Sequence, residues 1–113
     1  MKKTILLLSA LLMSSSVFAA ISTTHSDRSF KSNEYQTKQE AYDAGYEMMD
    51  TLRTMPASEL RNKLGIIENT LQYNSIKIDD MKLSVEEYSK QLGDMKYRAI
   101  LNVDYQYKYR DND

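Results

Sequence analysis

The strongest constraint on the fold of this 113-residue chain lies near its C-terminus. Tyr97, Ala99, Leu101, Val103, Tyr105, Tyr107 and Tyr109 alternate with Arg98, Ile100, Asn102, Asp104, Gln106, Lys108 and Arg110. Successive side chains of a strand point to opposite faces, so this spacing predicts a strand with one dry face and one wet face. That pattern belongs to an antiparallel sheet covered on one side. An apolar element must therefore lie across the dry face, and the strand is expected at or next to the centre of its sheet.

The covering element starts at Thr37. Thr37-x-x-Glu40 is a capping box, in which the threonine hydroxyl accepts from the Glu40 amide and the glutamate reaches back. Ala41, Gly45, Met48, Leu52 and Met55 then recur every three or four residues, and Ala44 and Met49 widen the stripe. This predicts an amphipathic helix over about 38–54, with Glu40, Asp43, Glu47 and Asp50 on its far face. Gly45 inside the apolar stripe costs roughly 1 kcal/mol against alanine, which implies a close approach to the sheet. Pro56 ends this helix, because the residue before a proline avoids the α region. A short second helix follows over 56–64, with Ala57, Leu60 and Leu64 on one face and Gly65 at a left-handed cap.

From Ile66 the period shifts toward two. Residues 66–73 read as a strand. Ile76 and Ile78, a turn at Asp79-Asp80, then Met81, Leu83 and Val85 read as a hairpin. Ser84-x-x-Glu87 also fits a capping box, so 85–91 is either strand or a turn of helix. Gly93-Asp94 marks a further turn. Upstream, Ile21, Thr23 and His25 alternate with Ser22, Thr24 and Ser26, which suggests a polar first strand within 22–31. Helices first and strands afterwards make an α+β fold: one main helix plus a short second helix packed on a three- to five-stranded, mostly antiparallel sheet.

The first residues have the layout of a secretory signal peptide. Lys2 and Lys3 precede an apolar run over 5–13, then serines, then Val17-Phe18-Ala19. Cleavage after Ala19 places Val17 at the −3 position. An apolar run of nine residues is far shorter than the roughly 20 needed to cross a bilayer, so no stable membrane insertion is expected after cleavage. The expected organisation is a cleaved signal peptide over 1–19, a polar leader or first strand over 20–36, and a single α+β domain over 37–113. Location is periplasmic, with secretion as the alternative. Without Lys2 and Lys3, 13 basic residues face 16 acidic ones. That mild acidity disfavours nucleic acid as a partner.

The residue inventory points away from catalysis. The chain has no cysteine and one histidine, His25, which sits in the polar leader. Zinc sites and activated nucleophiles draw on those residues. The Glu40, Asp43, Glu47, Asp50 stripe reads as a solvated helix face. Asp79-Asp80 and Glu86-Glu87 point to opposite sides of any strand they occupy. No cofactor, no metal and no enzymatic activity are expected.

Tyrosine is the unusual residue, with nine in the chain. Tyr42 and Tyr46 sit one helical turn apart, and Tyr105, Tyr107 and Tyr109 form a ladder. Most such rings pack in a core. As a speculative ligand-binding set, these five could form an aromatic platform with phenol hydroxyls for specificity.

Lys38-Gln39-Glu40-Ala41-Tyr42-Asp43-Ala44-Gly45, then Glu59-Leu60, then Tyr97 through Tyr105 together resemble a family of small exported gammaproteobacterial proteins catalogued as a domain of unknown function. The likeness runs over about residues 30–107 plus the signal peptide. It implies export and supplies no activity, cofactor or binding residue. By size and export signal alone, the chain is also similar to small periplasmic stress-response proteins of enteric bacteria. The expected function is a small exported, non-enzymatic binding protein whose partner is a small molecule or an envelope protein. The alternative is a structural or assembly protein that pairs through a sheet edge.

Overall fold

The computed structural model describes residues 20–111. The expected signal peptide and its cleavage site at Ala19 lie outside the described residues. The chain forms β1 (Ile21–Lys31), α1 (Lys38–Thr54), α2 (Ala57–Leu64), β2 (Leu71–Gln91) and β3 (Asp94–Arg110). The strands make one antiparallel sheet in the order β1-β3-β2. The architecture is α+β, with two helices on a three-stranded sheet.

β3 is the central strand and the longest uninterrupted one. Ala99, Leu101, Val103 and Tyr105 are buried along its dry face, while Asn102 and Asp104 on the other side are exposed. Leu52, Leu60, Leu64 and Ile66 close over Leu101, Val103 and Tyr105 to make the core. The helices lie mainly over β3 and β2.

α1 begins where its capping box predicts. Thr37 Oγ1 accepts from the Glu40 amide at 3.1 Å, and the Glu40 carboxylate takes the Thr37 hydroxyl at 2.8 Å. Gly45 is pressed against the sheet as its place in the stripe implies. A methyl group built there would lie 2.3 Å from Leu83 Cδ1. α2 ends on Gly65 in the left-handed region (φ +73), whose amide reaches back to Asn62 O.

β2 departs from the sequence reading. The segment 66–70 is a connection rather than a strand, with Ile66 buried and Ile67 91% exposed. Asp79-Asp80 does not turn. β2 runs through it as one strand, and the pairing slips between Ile78 and Asp80. A tight hairpin turn needs a residue that tolerates positive φ, and no residue other than glycine takes one among the described residues. The extra residue is absorbed as a bulge. A larger irregularity at 73–76 is patched by Ser75, whose Oγ accepts from the Lys108 amide at 2.8 Å. The open choice over 85–91 resolves as strand. The real turn is at Leu92-Gly93, with Gly93 at φ +78.

Candidate functional site

The five tyrosines fall into two groups. Tyr42 and Tyr46 stack on each other along α1, with centroids 6.2 Å apart and Tyr46 54% exposed. Tyr105, Tyr107 and Tyr109 form the expected ladder on β3, with successive centroids 6.2 and 6.4 Å apart. Tyr105 is buried in the core, and Tyr107 and Tyr109 are half-buried. Burial, then the nearby Glu68 carboxylate, raises the Tyr107 phenol above its ordinary value, so it is neutral at physiological pH. Each ladder ring faces a small hydroxyl residue across the sheet: Ser26, Thr24 and Ser22 in turn.

A concavity lies elsewhere, between α1 and β1. It exists because the helices sit mainly over β3 and β2 and cover the helix-side face of β1 only in part. This groove of about 440 Å³ has an apolar floor that includes Phe30, Met48 and Leu52, and Lys31, Lys63 and Glu47 also line it. Lys63 Nζ stands 5.3 Å from the Phe30 ring centroid, and the Arg28 guanidinium stands 5.7 Å from it. Cations near a ring are attracted to the negative face of its π-system. Among the described residues, Arg28, Lys31 and Lys63 have no carboxylate partner. The groove therefore joins an apolar floor to free positive charge.

None of the five tyrosines lines that groove. Sequence periodicity gave Met48 and Leu52 to the core stripe and had no means of marking Lys31 or Lys63. The available signal was the sequence of β1 itself. Apart from Ile21 at its start, Phe30 is the one large apolar residue in a strand of small and polar side chains, and Arg28 and Lys31 lie beside it in sequence.

The hydrogen-bonded network at the far end of the sheet is of another kind. The Tyr88 hydroxyl and Lys90 Nζ both donate to Glu34, the latter at 3.1 Å. The Tyr88 bond, then Lys90, holds the Glu34 carboxyl below its ordinary value. Arg98 lies 4.7 Å from the Tyr88 ring and donates from Nε to Glu86 at 3.0 Å, which raises the guanidinium further. These contacts tie the segment after β1 to the β2–β3 ribbon. Every carboxylate in them is already engaged, so the network reads as structural.

His25 is exposed, with Nδ1 3.8 Å from Asp79 Oδ2, while Gln106 Nε2 donates to the same carboxylate at 3.0 Å. Glu40, Asp43, Glu47 and Asp50 are all exposed on α1. Among the described residues, no three or more His, Cys, Asp or Glu side chains converge on a metal-sized site. Nor is any helix among them long and apolar enough to cross a membrane.

No curated protein and no solved structure matches the chain. One family model matches residues 1–112, nearly the whole chain, and its description is a domain of unknown function, DUF8398. The chain is a member of that family.

Proposed function

We propose that this chain is a small exported, non-enzymatic binding protein of gammaproteobacteria, working in the periplasm, and that its ligand is an amphiphile with an acidic head. The observation that carries the ligand class is the groove between α1 and β1. Phe30, Met48 and Leu52 offer a surface for an acyl chain or a fused ring system. Lys63 and Arg28, whose cationic groups both stand near the Phe30 ring, offer unpaired charge for a carboxylate or sulfonate. Apolar pockets with a few convergent polar groups are the usual form of small-molecule sites. Glu47 on the helix wall disfavours a second acidic group at that end.

Export rests on the sequence layout of residues 1–19. Fractionation of cells carrying the chain, with the intact mass of the recovered protein, tests it directly. The expected product begins at Ala20 and leaves with the periplasmic fraction. A full-length product in the cytoplasm would remove this part of the reading.

The ligand class is tested by thermal shift with laurate, deoxycholate and dodecyl maltoside, each below its micelle concentration. Laurate or deoxycholate is expected to raise the melting temperature, and uncharged dodecyl maltoside is not. K63E is expected to abolish the shift while leaving the ligand-free melting temperature nearly unchanged, because Lys63 is exposed. Equal shifts for charged and uncharged amphiphiles, or none, would count against the site.

A further inference from the structure

We propose that the free edge of β1 pairs with β1 of a second copy of this chain, antiparallel about a two-fold axis at Ser26, so that two three-stranded sheets become one of six strands. This goes beyond the ligand-binding reading and does not depend on it.

The backbone bonding fixes which groups are free. The Ser32 amide donates to Ala99 O at 3.0 Å, and the Asp111 amide donates to Ala20 O at 3.2 Å. The register between those points is continuous from Ile21↔Arg110 to Lys31↔Ile100. Hydrogen-bonded pairs alternate along an antiparallel ladder, so even-numbered residues of β1 bond to β3. Ile21, Thr23, His25, Asp27, Ser29 and Lys31 direct their N–H and C=O groups to the open side. This edge contains no proline and no bulge. The opposite edge, on β2, is interrupted by three register shifts. Proteins blunt edges with such irregularities, and here only β2 is blunted.

Charge then selects the register. An axis at Asp27 would set the two Asp27 carboxylates opposite each other, which is unfavourable. An axis at His25 would leave Phe30 and Lys31 of each copy unpaired. An axis at Ser26, the midpoint of β1, overlaps all eleven residues. It sets His25 of each copy opposite Asp27 of the other, Thr23 opposite Ser29, and Thr24 opposite Arg28. Asp27 already has Asp104 across from it within its own sheet, and Asp104 has Asp80 beyond. A histidine on the outer side of Asp27 is a better neighbour than another carboxylate. A two-fold axis perpendicular to the sheet keeps both pairs of helices on one face.

The absence of cysteine makes the test clean. Single-cysteine variants H25C, S26C, D27C and T24C of the full chain are purified without amphiphile and oxidised in air. Residues on the axis of a non-hydrogen-bonded pair have Cα atoms ~4.5 Å apart, within disulfide reach. S26C is expected to give a covalent dimer at least tenfold faster than T24C, whose two copies would lie four residues out of register. The unmodified chain is expected to sediment as a dimer. D27P and S29P each remove an outward N–H without touching a bond to β3, and either is expected to give a folded monomer by sedimentation and circular dichroism. A monomeric unmodified chain overturns the proposal, and so does a dimer in which S26C links no faster than T24C. Fastest linkage at H25C or D27C overturns the register.

Discussion

At Gly45 two opposing terms meet. Alanine is the better helix former by roughly 1 kcal/mol, so a helix read in isolation would gain from the change. The structure reverses that expectation, because the new methyl would lie within 3.0 Å of three atoms of Leu83. Forcing extra volume into a packed contact costs about 1–3 kcal/mol. Gly45→Ala is therefore expected to destabilise the chain by about 1 kcal/mol in urea unfolding, and G45A/L83A to lose less than the sum of its single changes. A stabilised G45A would show that Leu83 yields freely. On the opposite face, Asp27, Asp104 and Asp80 stand side by side across all three strands, and all three are exposed. Like charges directly opposite are unfavourable. Asp104→Asn is expected to raise stability by about 0.5 kcal/mol at low salt, with the gain shrinking above about 0.1 M as the repulsion is screened. The role of Gly45 was legible in the sequence from its place in an apolar stripe. The aspartate row was not, because it depends on register between strands far apart in the chain.

Among the elements, those with a single unbroken period were readable: α1 and α2 from apolar spacing and caps, β3 from its alternation. β2 was not, and the reason is local. Ile76 and Ile78 share one parity, while Met81, Leu83 and Val85 share the other. A turn or a one-residue bulge inverts parity equally well, so the pattern alone does not choose. The length of β3 does, since a 17-residue central strand needs a long partner. The groove was illegible for a related reason: it arises from where the helices fail to reach. Beyond the Tyr35↔Tyr97 bridge, β2 and β3 continue toward Leu92-Gly93 as a two-stranded ribbon. Glu34 ties the chain to that ribbon through Tyr88 and Lys90. Its carboxyl is held below the ordinary value when folded and returns to about 4.3 when unfolded. A lowered folded value means stability that is present above the unfolded value and lost as pH falls through the folded one. Amide exchange at 88–96 is therefore expected to quicken as pH drops below about 4, after correction for intrinsic rates. E34Q is expected to exchange faster at pH 7 and to show a flatter acid response. An unchanged acid response in E34Q would assign the effect to other carboxylates.

For the molecule as a whole, core and length are mismatched. β3 spans ~56 Å at ~3.3 Å per residue. Yet the buried cluster draws only on Leu101, Val103 and Tyr105 from that strand, beneath Leu52, Leu60, Leu64 and Ile66. Stability must concentrate in this middle section. To one side lie the β2–β3 ribbon and its exposed Leu92 and Met95, and to the other the half-buried end of the tyrosine ladder. No disulfide supports either end. Leu101 has no exposed surface and sits where both helices and both outer strands are within reach. Truncating a buried leucine to alanine costs about 2–5 kcal/mol, depending on how far the cavity collapses. A small domain holds about 5–15 kcal/mol in total, and a thin core without cross-links belongs at the low end. Leu101→Ala is therefore expected to remove most of the stability and lower the melting temperature by more than 10 °C, or to leave no cooperative transition. Tyr46→Ala, at a ring 54% exposed, is expected to change stability by less than about 0.5 kcal/mol. The pair separates two pictures of the fold. If stability were spread evenly along the sheet, the loss at Leu101 would be near the lower bound and the transition would stay sharp. If it is held by the central cluster, losing that one side chain releases the helices and both ends together.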